Sequence, residues 1–365
     1  MDRLVPSYIE RLSPYRPGKP VDEVERELGI PNAIKLASNE NPNGPSPAVL
    51  EVLRAVDADL SRYPDAAAYA LRRALAEHHG VSMDDICVGN GSNDLIDIAC
   101  RCFVSPSDHA VIPDPSFVCY ALGLLAANVP FTAVKLVDHR RYDVESILSA
   151  VRDDTRLLFV ANPNNPTGAH ISREQLRRLL ERLPERVLVV VDEAYVEFAD
   201  APDFETALAM RSVRERLLVL RTFSKAYGLA ALRVGYGIGS AQVVNYVNRV
   251  RAPFNVNTLA QRAAIAALRD PEHVRRYVAE NRSERARVSS GLEALGLLVT
   301  PSQANFVLVD FRRSADAVAQ SLLRLGVIVR PMPAPIETCC RITVGLPAEN
   351  DRLLVALTSL ELRNP

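Results

Sequence analysis

The chain has 365 residues, of which 48% are hydrophobic, and its formal net charge is −1. This length provides for a large core and for about two domains. Because acidic and basic residues are interspersed and nearly equal in number, the composition gives no indication of a nucleic-acid or membrane-surface partner.

The cysteine pattern and the hydropathy bear on the compartment. The six cysteines form no CxxC pair and no zinc-like spacing with the six histidines, which predicts reduced cysteines, no metal site and a cytoplasmic protein. The N-terminus lacks the apolar core of a signal peptide. No apolar run approaches the roughly 20 residues that span a bilayer, so we expect no membrane-spanning segment.

Residues 1–45 are rich in proline and asparagine and predict an extended arm with turns and one short helix over 21–28. From residue 46 onwards strands and helices alternate, which favours a mostly parallel sheet with helices on both faces. The expected strands are 86–88, 110–112, 131–136, 157–160, 187–191, 217–220 and 234–238, and the clearest expected helices are 47–58, 66–79, 94–103 and 172–183. In such a sheet, ligands bind beyond the carboxyl ends of the strands.

The last third of the chain has a different grouping of elements, which suggests a smaller α+β domain. Residues 256–294 have a helical pattern with one long helix over 272–292, and helices are also expected over 315–325 and 349–362. Strands are expected over 304–309, 327–330 and 341–344. We expect three parts: an arm over 1–45 that packs with the small domain, a large domain over 46–275 and a small domain over 276–365.

The stretch 217–239 carries the strongest chemical signal. An apolar run is followed by Thr222, Ser224 and Lys225, and Arg233 comes eight residues after the lysine. Lysine is rarely buried, and an amine whose proton is easily lost is suited to form an imine with an aldehyde cofactor. The hydroxyls and the arginine are suited to a dianionic phosphate. The alternative is a surface loop with an ordinary lysine and arginine.

Three further motifs follow expected strands. The turn GNGSN at 89–93 precedes a helix, whose N–H groups form an anion site, although such turns are also common for structural reasons. The stretch 157–168, LLFVANPNNPTG, ends in a turn whose asparagines can also bond their own backbone. The stretch 187–195, VLVVVDEAY, runs from five apolar residues into Asp192 and Glu193, and the carboxylate of Asp192 can also be a solvated strand end.

Together these motifs resemble the fold-type-I pyridoxal-phosphate (PLP) aminotransferases, in particular the histidinol-phosphate aminotransferase family near its aromatic aminotransferase branch. The resemblance implies a large domain with a mostly parallel seven-stranded sheet sandwiched by helices, plus a smaller α+β C-terminal domain. It implies that Lys225 carries PLP as an imine and then moves a proton as a general acid and base. It also implies a carboxylate, Asp192, that keeps the ring nitrogen protonated, while Glu193 is expected to be structural.

The remaining cofactor roles are implied by the same resemblance. Asn165 and Tyr195 share the phenolic oxygen of the cofactor, with Tyr195 counted among the catalytic residues. Phe117 stacks on the ring, with a core phenylalanine as the alternative. The cofactor phosphate is held by Ser92, Asn93, Thr222, Ser224 and Arg233, and Tyr63, in an RYP motif, reaches the phosphate of the partner subunit in a homodimer.

On the substrate side, the resemblance implies four contacts. Tyr15 lies in the arm, and Asn39 lies in KLASNENP, the segment that enters the active site in the family. Arg341 and Arg330 match arginines that grip anionic substrate ends, although each alone can be a solvated charge. The sequence departs from the family pattern at 331–340, where the usual Tyr-Gly is missing, and this departure lies near the substrate.

The implied reaction converts L-histidinol phosphate to imidazole acetol phosphate, in histidine biosynthesis, with glutamate and 2-oxoglutarate as the partner pair. The alternatives are an aromatic amino-acid (phenylalanine) aminotransferase and a secondary-pathway PLP enzyme, such as a decarboxylase, on the same fold. A regulatory module without turnover is disfavoured because the chain carries no basic helix-turn-helix stretch.

Overall fold

The computed structural model describes residues 3–10, 12–14, 18–55 and 58–360. Its strands are β1 (Ile34–Lys35), β2 (Ile86–Gly89), β3 (His109–Asp114), β4 (Phe131–Lys135), β5 (Thr155–Ala161), β6 (Leu188–Asp192), β7 (Leu217–Thr222), β8 (Gly235–Gly239), β9 (Leu298–Thr300), β10 (Phe306–Asp310), β11 (Val327–Ile328), β12 (Arg330–Pro331) and β13 (Cys339–Thr343). Its helices are α1 (Ser7–Glu10), α2 (Val21–Leu28), α3 (Pro47–Arg54), α4 (Tyr69–His79), α5 (Ser92–Cys102), α6 (Val118–Ala126), α7 (Val144–Ser149), α8 (Arg173–Arg182), α9 (Ala241–Val250), α10 (Thr258–Leu268), α11 (Pro271–Ala294), α12 (Ala315–Arg324) and α13 (Pro347–Ser359).

Seven strands form the main sheet, in the order β2-β8-β7-β6-β5-β3-β4. Strand β8 is antiparallel to both of its neighbours, and the other pairs are parallel. Successive residues of β5 face opposite cores, with Leu157 and Phe159 packed in one cluster and Leu158 and Val160 in another. This burial on both faces explains the continuous apolar runs, and the mostly parallel seven-stranded sheet predicted from the sequence is confirmed.

A second, smaller sheet is antiparallel, in the order β12-β13-β10-β9. The arm joins this part of the molecule, because β1 pairs in parallel with β11 and Leu36 is buried in the same cluster as Val307 and Ile342. The division into arm, large domain and small domain at residues 45/46 and 275/276 stays a prediction. The second of these boundaries falls within α11.

Several element bounds differ from the expected ones. The helix expected from residue 66 begins at Tyr69, because the Asp65 carboxylate accepts the backbone N–H groups of Ala67 and Tyr69 and holds a turn there. The helix expected over 47–58 ends at Arg54, and Ala58–Ser61 form a 3₁₀ turn. The strand expected over 327–330 is two short strands in different sheets, because β11 pairs with the arm while β12 pairs with β13.

Within the described residues, no helix combines the length and apolar character needed to cross a membrane. All six cysteines are described, and each is a free thiol. Helices α1, α6, α7 and α9 and strands β1 and β9 are not among the elements expected from the sequence.

Candidate active site

A cavity of about 220 Å³ lies at the carboxyl ends of β5, β6 and β7, where the large sheet meets the arm and the small sheet. Most of the residues singled out from the sequence line it together: Asn39, Ser92, Asn93, Phe117, Asn165, Asp192, Tyr195, Thr222, Ser224, Lys225, Arg233, Arg330 and Arg341. Ala37 and Arg341, which are 304 positions apart in the chain, thus share one cavity.

Lys225 follows the end of β7 and is partly buried at the wall of the cavity. Its Nζ donates a hydrogen bond to the Ser38 carbonyl at 3.0 Å. Burial, and then the positive charge of Arg341, lower the pKa of the Lys225 amine from 10.5 to about 7. A large share of the amine is therefore unprotonated at neutral pH, as a nucleophile requires.

Asp192 ends β6 and is 5% exposed. Burial raises the pKa of its carboxyl from 3.8 to about 6, and hydrogen bonds donated by the Tyr120 hydroxyl at 2.8 Å and by the Ala194 N–H at 3.2 Å oppose that rise. The neighbouring Glu193 does not line the cavity and instead pairs with Arg221 at 2.8 Å. Above pH 6, Asp192 thus presents a carboxylate to the cavity.

The amino end of α5 forms an anion cradle. Gly91 at the N-cap has φ +77° and offers no side chain to the first N–H groups of the helix. A Cβ at Gly91 would overlap the Arg233 guanidinium, and a Cβ at Gly235 would overlap the Ser92 nitrogen. Arg233 donates to the Ser224 hydroxyl at 3.2 Å, so uncapped N–H groups, a guanidinium and hydroxyls converge as a phosphate requires.

Two amides and a phenol occupy the far wall of the cavity. Asn39 Nδ2 donates to the Tyr195 hydroxyl at 2.9 Å, and Asn165 Oδ1 accepts from Arg341 at 2.7 Å. Because Asn165 uses its oxygen for the arginine, its Nδ2 is the atom that can donate to a ligand. Phe117 makes an edge contact with the Tyr120 ring, with centroids 5.7 Å apart.

Arg330 and Arg341 lie at the boundary between this cavity and a second chamber. Arg341, on β13, also donates to the Ala37 carbonyl at 2.6 Å. Phe117, Asn165, Arg330 and Arg341 line both the first cavity and an adjoining one of about 550 Å³. The walls of the second chamber are largely apolar and include Val118, Leu122, Met332 and Ile336.

Tyr63 does not line this cavity. Tyr63 is 82% exposed and stacks on Phe254 with ring centroids 4.6 Å apart. Tyr15 lies outside the described residues. The predicted role of Tyr63 requires a partner subunit, and an exposed position is compatible with it.

The sequence analysis missed Tyr120 and the carbonyls of Ala37 and Ser38. Tyr120 lies one helical turn after Phe117, and that spacing was the one available signal for it. The carbonyls carry no sequence signal at all. Within the described residues, no group of three or more His, Cys, Asp or Glu side chains is arranged to hold a metal ion.

The chain is similar in sequence to known aminotransferases. The family model for aminotransferase class I and II matches residues 31–357. The chain is 48% identical to histidinol-phosphate aminotransferase 2 of Pseudomonas aeruginosa over 352 residues, which cover 96% of this chain and 95% of that protein. It is 46% identical to histidinol-phosphate aminotransferase of an Anaeromyxobacter species over 356 residues, with 97% and 98% covered.

Among solved structures, the histidinol-phosphate aminotransferase from Sinorhizobium meliloti in complex with pyridoxal-5'-phosphate superposes with a TM-score of 0.90. The identity is 30%, and the match covers 100% of this chain and 98% of that one.

Proposed function

The chain belongs to the class I and II aminotransferases, and from this premise we propose that it transfers the amino group of L-histidinol phosphate to 2-oxoglutarate with PLP as cofactor. The first observation in support is chemical. A primary amine of lowered pKa, a buried carboxylate and an anion cradle surround one cavity. A molecule with an aldehyde, a basic ring nitrogen and a phosphate is complementary to that set.

Each wall of the cavity would hold a different part of PLP. Lys225 would engage the aldehyde, Asp192 the ring nitrogen, and Phe117 the face of the ring. Asn165 and Tyr195 would donate to the phenolic oxygen, and the phosphate would be held by Ser92, Asn93, Thr222, Ser224 and Arg233. When bound, PLP supplies a cationic ring that withdraws electrons from the α-carbon of the amino donor.

Lys225 is the proton carrier of this proposal. Because the pKa of its amine is about 7, the amine can both accept and donate a proton near neutral pH. Asp192 is ionised above pH 6 and would hold a proton on the ring nitrogen. The Ser38 carbonyl, 3.0 Å from Nζ, limits where the amine can point.

The observation that carries the substrate assignment is the pair Arg330 and Arg341 at the boundary between the two chambers. Two arginines that line both chambers suit a substrate with a dianionic end. The second chamber leaves room for a ring beside that end. Relatives with 43–48% identity bear the name histidinol-phosphate aminotransferase, in agreement with this substrate.

An aromatic amino acid such as phenylalanine is the second candidate donor. The apolar lining of the second chamber, with Val118, Leu122, Met332 and Ile336, favours a phenyl ring over an imidazole. Phenylalanine has a carboxylate that one arginine could bind, but it has no phosphate for the second. The two donors therefore differ in their need for Arg330.

The test is steady-state turnover of L-histidinol phosphate and of phenylalanine, each with 2-oxoglutarate. We expect kcat/KM for histidinol phosphate to exceed that for phenylalanine by about 10- to 150-fold, because one charge-assisted pair contributes about 1.5–3 kcal/mol. Faster turnover of phenylalanine would overturn the substrate assignment while leaving the aminotransferase intact. Release of carbon dioxide without a ketone product would show that the enzyme is a decarboxylase and not an aminotransferase.

We propose further that the chain works as a homodimer in the cytoplasm. The exposed Tyr63, if it reaches across a two-fold axis, would add a hydroxyl to the partner's phosphate cradle. The six free cysteines suit a reducing compartment. Sedimentation velocity at micromolar concentration tests the dimer, and a species of one chain's mass would contradict it.

A further inference from the structure

Asn39 is held in an uncommon backbone conformation by buried hydrogen bonds. Its φ is +55°, in the left-handed region that asparagine tolerates better than most residues. Its N–H donates to Thr343 Oγ1 at 2.9 Å, and its carbonyl accepts from Asn305 Nδ2 at 3.1 Å. Asn39 is 1% exposed and Thr343 is 4% exposed. Such a costly conformation persists only where its surroundings hold it.

The Thr343 hydroxyl selects the orientation of the Asn39 amide. Thr343 Oγ1 accepts the Asn39 N–H and lies 3.0 Å from Asn39 Oδ1. Thr343 can donate its hydroxyl proton to the Asn39 amide only when Oδ1 faces the hydroxyl. This orientation of the amide turns Nδ2 toward Tyr195. Nδ2 then donates to the Tyr195 hydroxyl oxygen at 2.9 Å. With the amide reversed, Tyr195 would instead donate to Asn39, and the hydroxyl proton of Thr343 would lose this acceptor.

We propose that Thr343 is a positioning residue that, through the Asn39 amide, makes Tyr195 a hydrogen-bond donor to the phenolic oxygen of bound PLP. Because the Asn39 amide donates to the hydroxyl oxygen of Tyr195, the Tyr195 hydroxyl donates its own proton to a ligand oxygen. The proposal rests on the proposed function for its cofactor. It also gives Asn39 a role different from the substrate contact expected from the sequence.

Thr343 lies on β13, the strand that also carries Arg341. Thr343 and Arg341 are two residues apart on one strand, so their side chains point to the same face of the sheet. Arg341 contacts Asn165, and Thr343 acts through Asn39 on Tyr195. One strand of the small sheet therefore orients both donors to the phenolic oxygen, and the placement of that sheet tunes the cofactor.

The readout is the pH at which the visible absorbance of the PLP-bound enzyme changes. A donor on the phenolic oxygen stabilises its negative charge, so the proton on the adjacent Lys225 nitrogen is released at a lower pH. Thr343→Val removes the hydroxyl at nearly constant volume. We expect the midpoint to rise by about half to one pH unit and the PLP dissociation constant to increase about 3- to 10-fold.

Matched variants separate orientation from folding. Thr343→Ser restores the hydroxyl and should return the midpoint to within about 0.2 units of the wild-type value. Thr300→Val, at a buried threonine on β9 of the same sheet, should leave it unchanged. If Thr343→Val does not fold, Thr343→Ala gives the same comparison, with the melting temperature of the apoprotein measured alongside.

A double-mutant cycle with Tyr195→Phe decides the route. If Thr343 acts through Tyr195, Thr343→Val shifts the midpoint in the wild-type background and adds nothing in the Tyr195→Phe background. An equal shift in both backgrounds, or an unchanged midpoint in Thr343→Val, would overturn the proposal. A wild-type protein that retains no PLP absorbance after unbound PLP is removed would instead reject the proposed function, so the two failures are distinguishable.

Discussion

The two sides of the cavity are built in different ways. On the large-sheet side, Asp192 ends β6 and Lys225 follows β7, two adjacent parallel strands, and each residue belongs to a short local motif. On the small-sheet side, contacts join positions that are 304 residues apart, as between Ala37 and Arg341. The large sheet thus positions most of the proposed cofactor contacts. The proposed substrate contacts, and the link from Thr343 through Asn39 to Tyr195, depend on how a second sheet packs against the first.

This difference predicts two kinds of mutational effect. Changes on the large-sheet side should remove bound cofactor or lower kcat, while changes to Arg330 and Arg341 on the small-sheet side should mainly alter KM and substrate choice. A large-sheet variant that changes only KM, or an Arg330 or Arg341 variant that changes only kcat, would contradict this difference.

The largest expected effect is that of Lys225→Ala. Without the amine, the PLP linkage and the proton carrier are both lost, so we expect no visible absorbance band of a lysine-bound cofactor and a fall in kcat of at least about 1,000-fold. Lys135→Ala, at an exposed lysine on β4, is the control and should match the wild type. Turnover above about one tenth of the wild-type rate would remove Lys225 from its role.

Asp192→Asn should have the next largest effect on turnover. An amide cannot hold a proton on the ring nitrogen by charge, so kcat should fall about 100- to 1,000-fold while PLP still binds weakly. Asp153→Asn, at an exposed side chain, is the control in the same assay. An unchanged kcat would mean that the ring nitrogen has another partner.

The same substitution should stabilise the apoprotein. Since burial raises the pKa of Asp192 from 3.8 to about 6, ionising it disfavours the folded state increasingly from pH 3.8 to pH 6, by roughly 3 kcal/mol above that range. Asp192→Asn should therefore raise the free energy of unfolding at pH 8, and the gain should vanish below pH 4. Urea titrations of both apoproteins at pH 8 and pH 4 measure it. A gain that is equal at both pH values would trace the effect to packing instead of charge.

Arg341→Ala tests the small-sheet side. Loss of one guanidinium should raise KM for histidinol phosphate about 10- to 100-fold, with a smaller change in kcat. The unphosphorylated donor L-histidinol should show a much smaller change, which isolates the contribution of the anionic end. Arg275→Ala, at a side chain that is 70% exposed on α11, is the control. A fall in kcat with an unchanged KM would place Arg341 on the cofactor side.

The sequence was most informative where a motif is local. The run into Lys225 and the run into Asp192 each predict a buried strand with a functional residue at its carboxyl end, and the parallel sheet brings those ends together. What the sequence could not predict depends on partners that are far away in the chain. The split of 327–330 into β11 and β12 follows from two different pairing partners, and the contact of Asn39 with Tyr195 depends on how the arm crosses the cavity.

The smallest expected effect is that of Tyr63→Phe, which keeps the ring stacked on Phe254 and removes only the hydroxyl. If Tyr63 reaches the partner's phosphate cradle, the dissociation constant of PLP should rise about 2- to 10-fold, while Tyr69→Phe, at another exposed tyrosine, should leave it unchanged. Mixing Tyr63→Phe and Lys225→Ala chains sharpens the test. In a mixed dimer, the Tyr63→Phe chain keeps its lysine and receives an intact Tyr63 from its partner, so one site of wild-type affinity should reappear after subunit exchange. If the affinity for PLP stays weak in the mixture, Tyr63 acts within its own chain or not at all. Each PLP site would then be formed without Tyr63 of a second subunit.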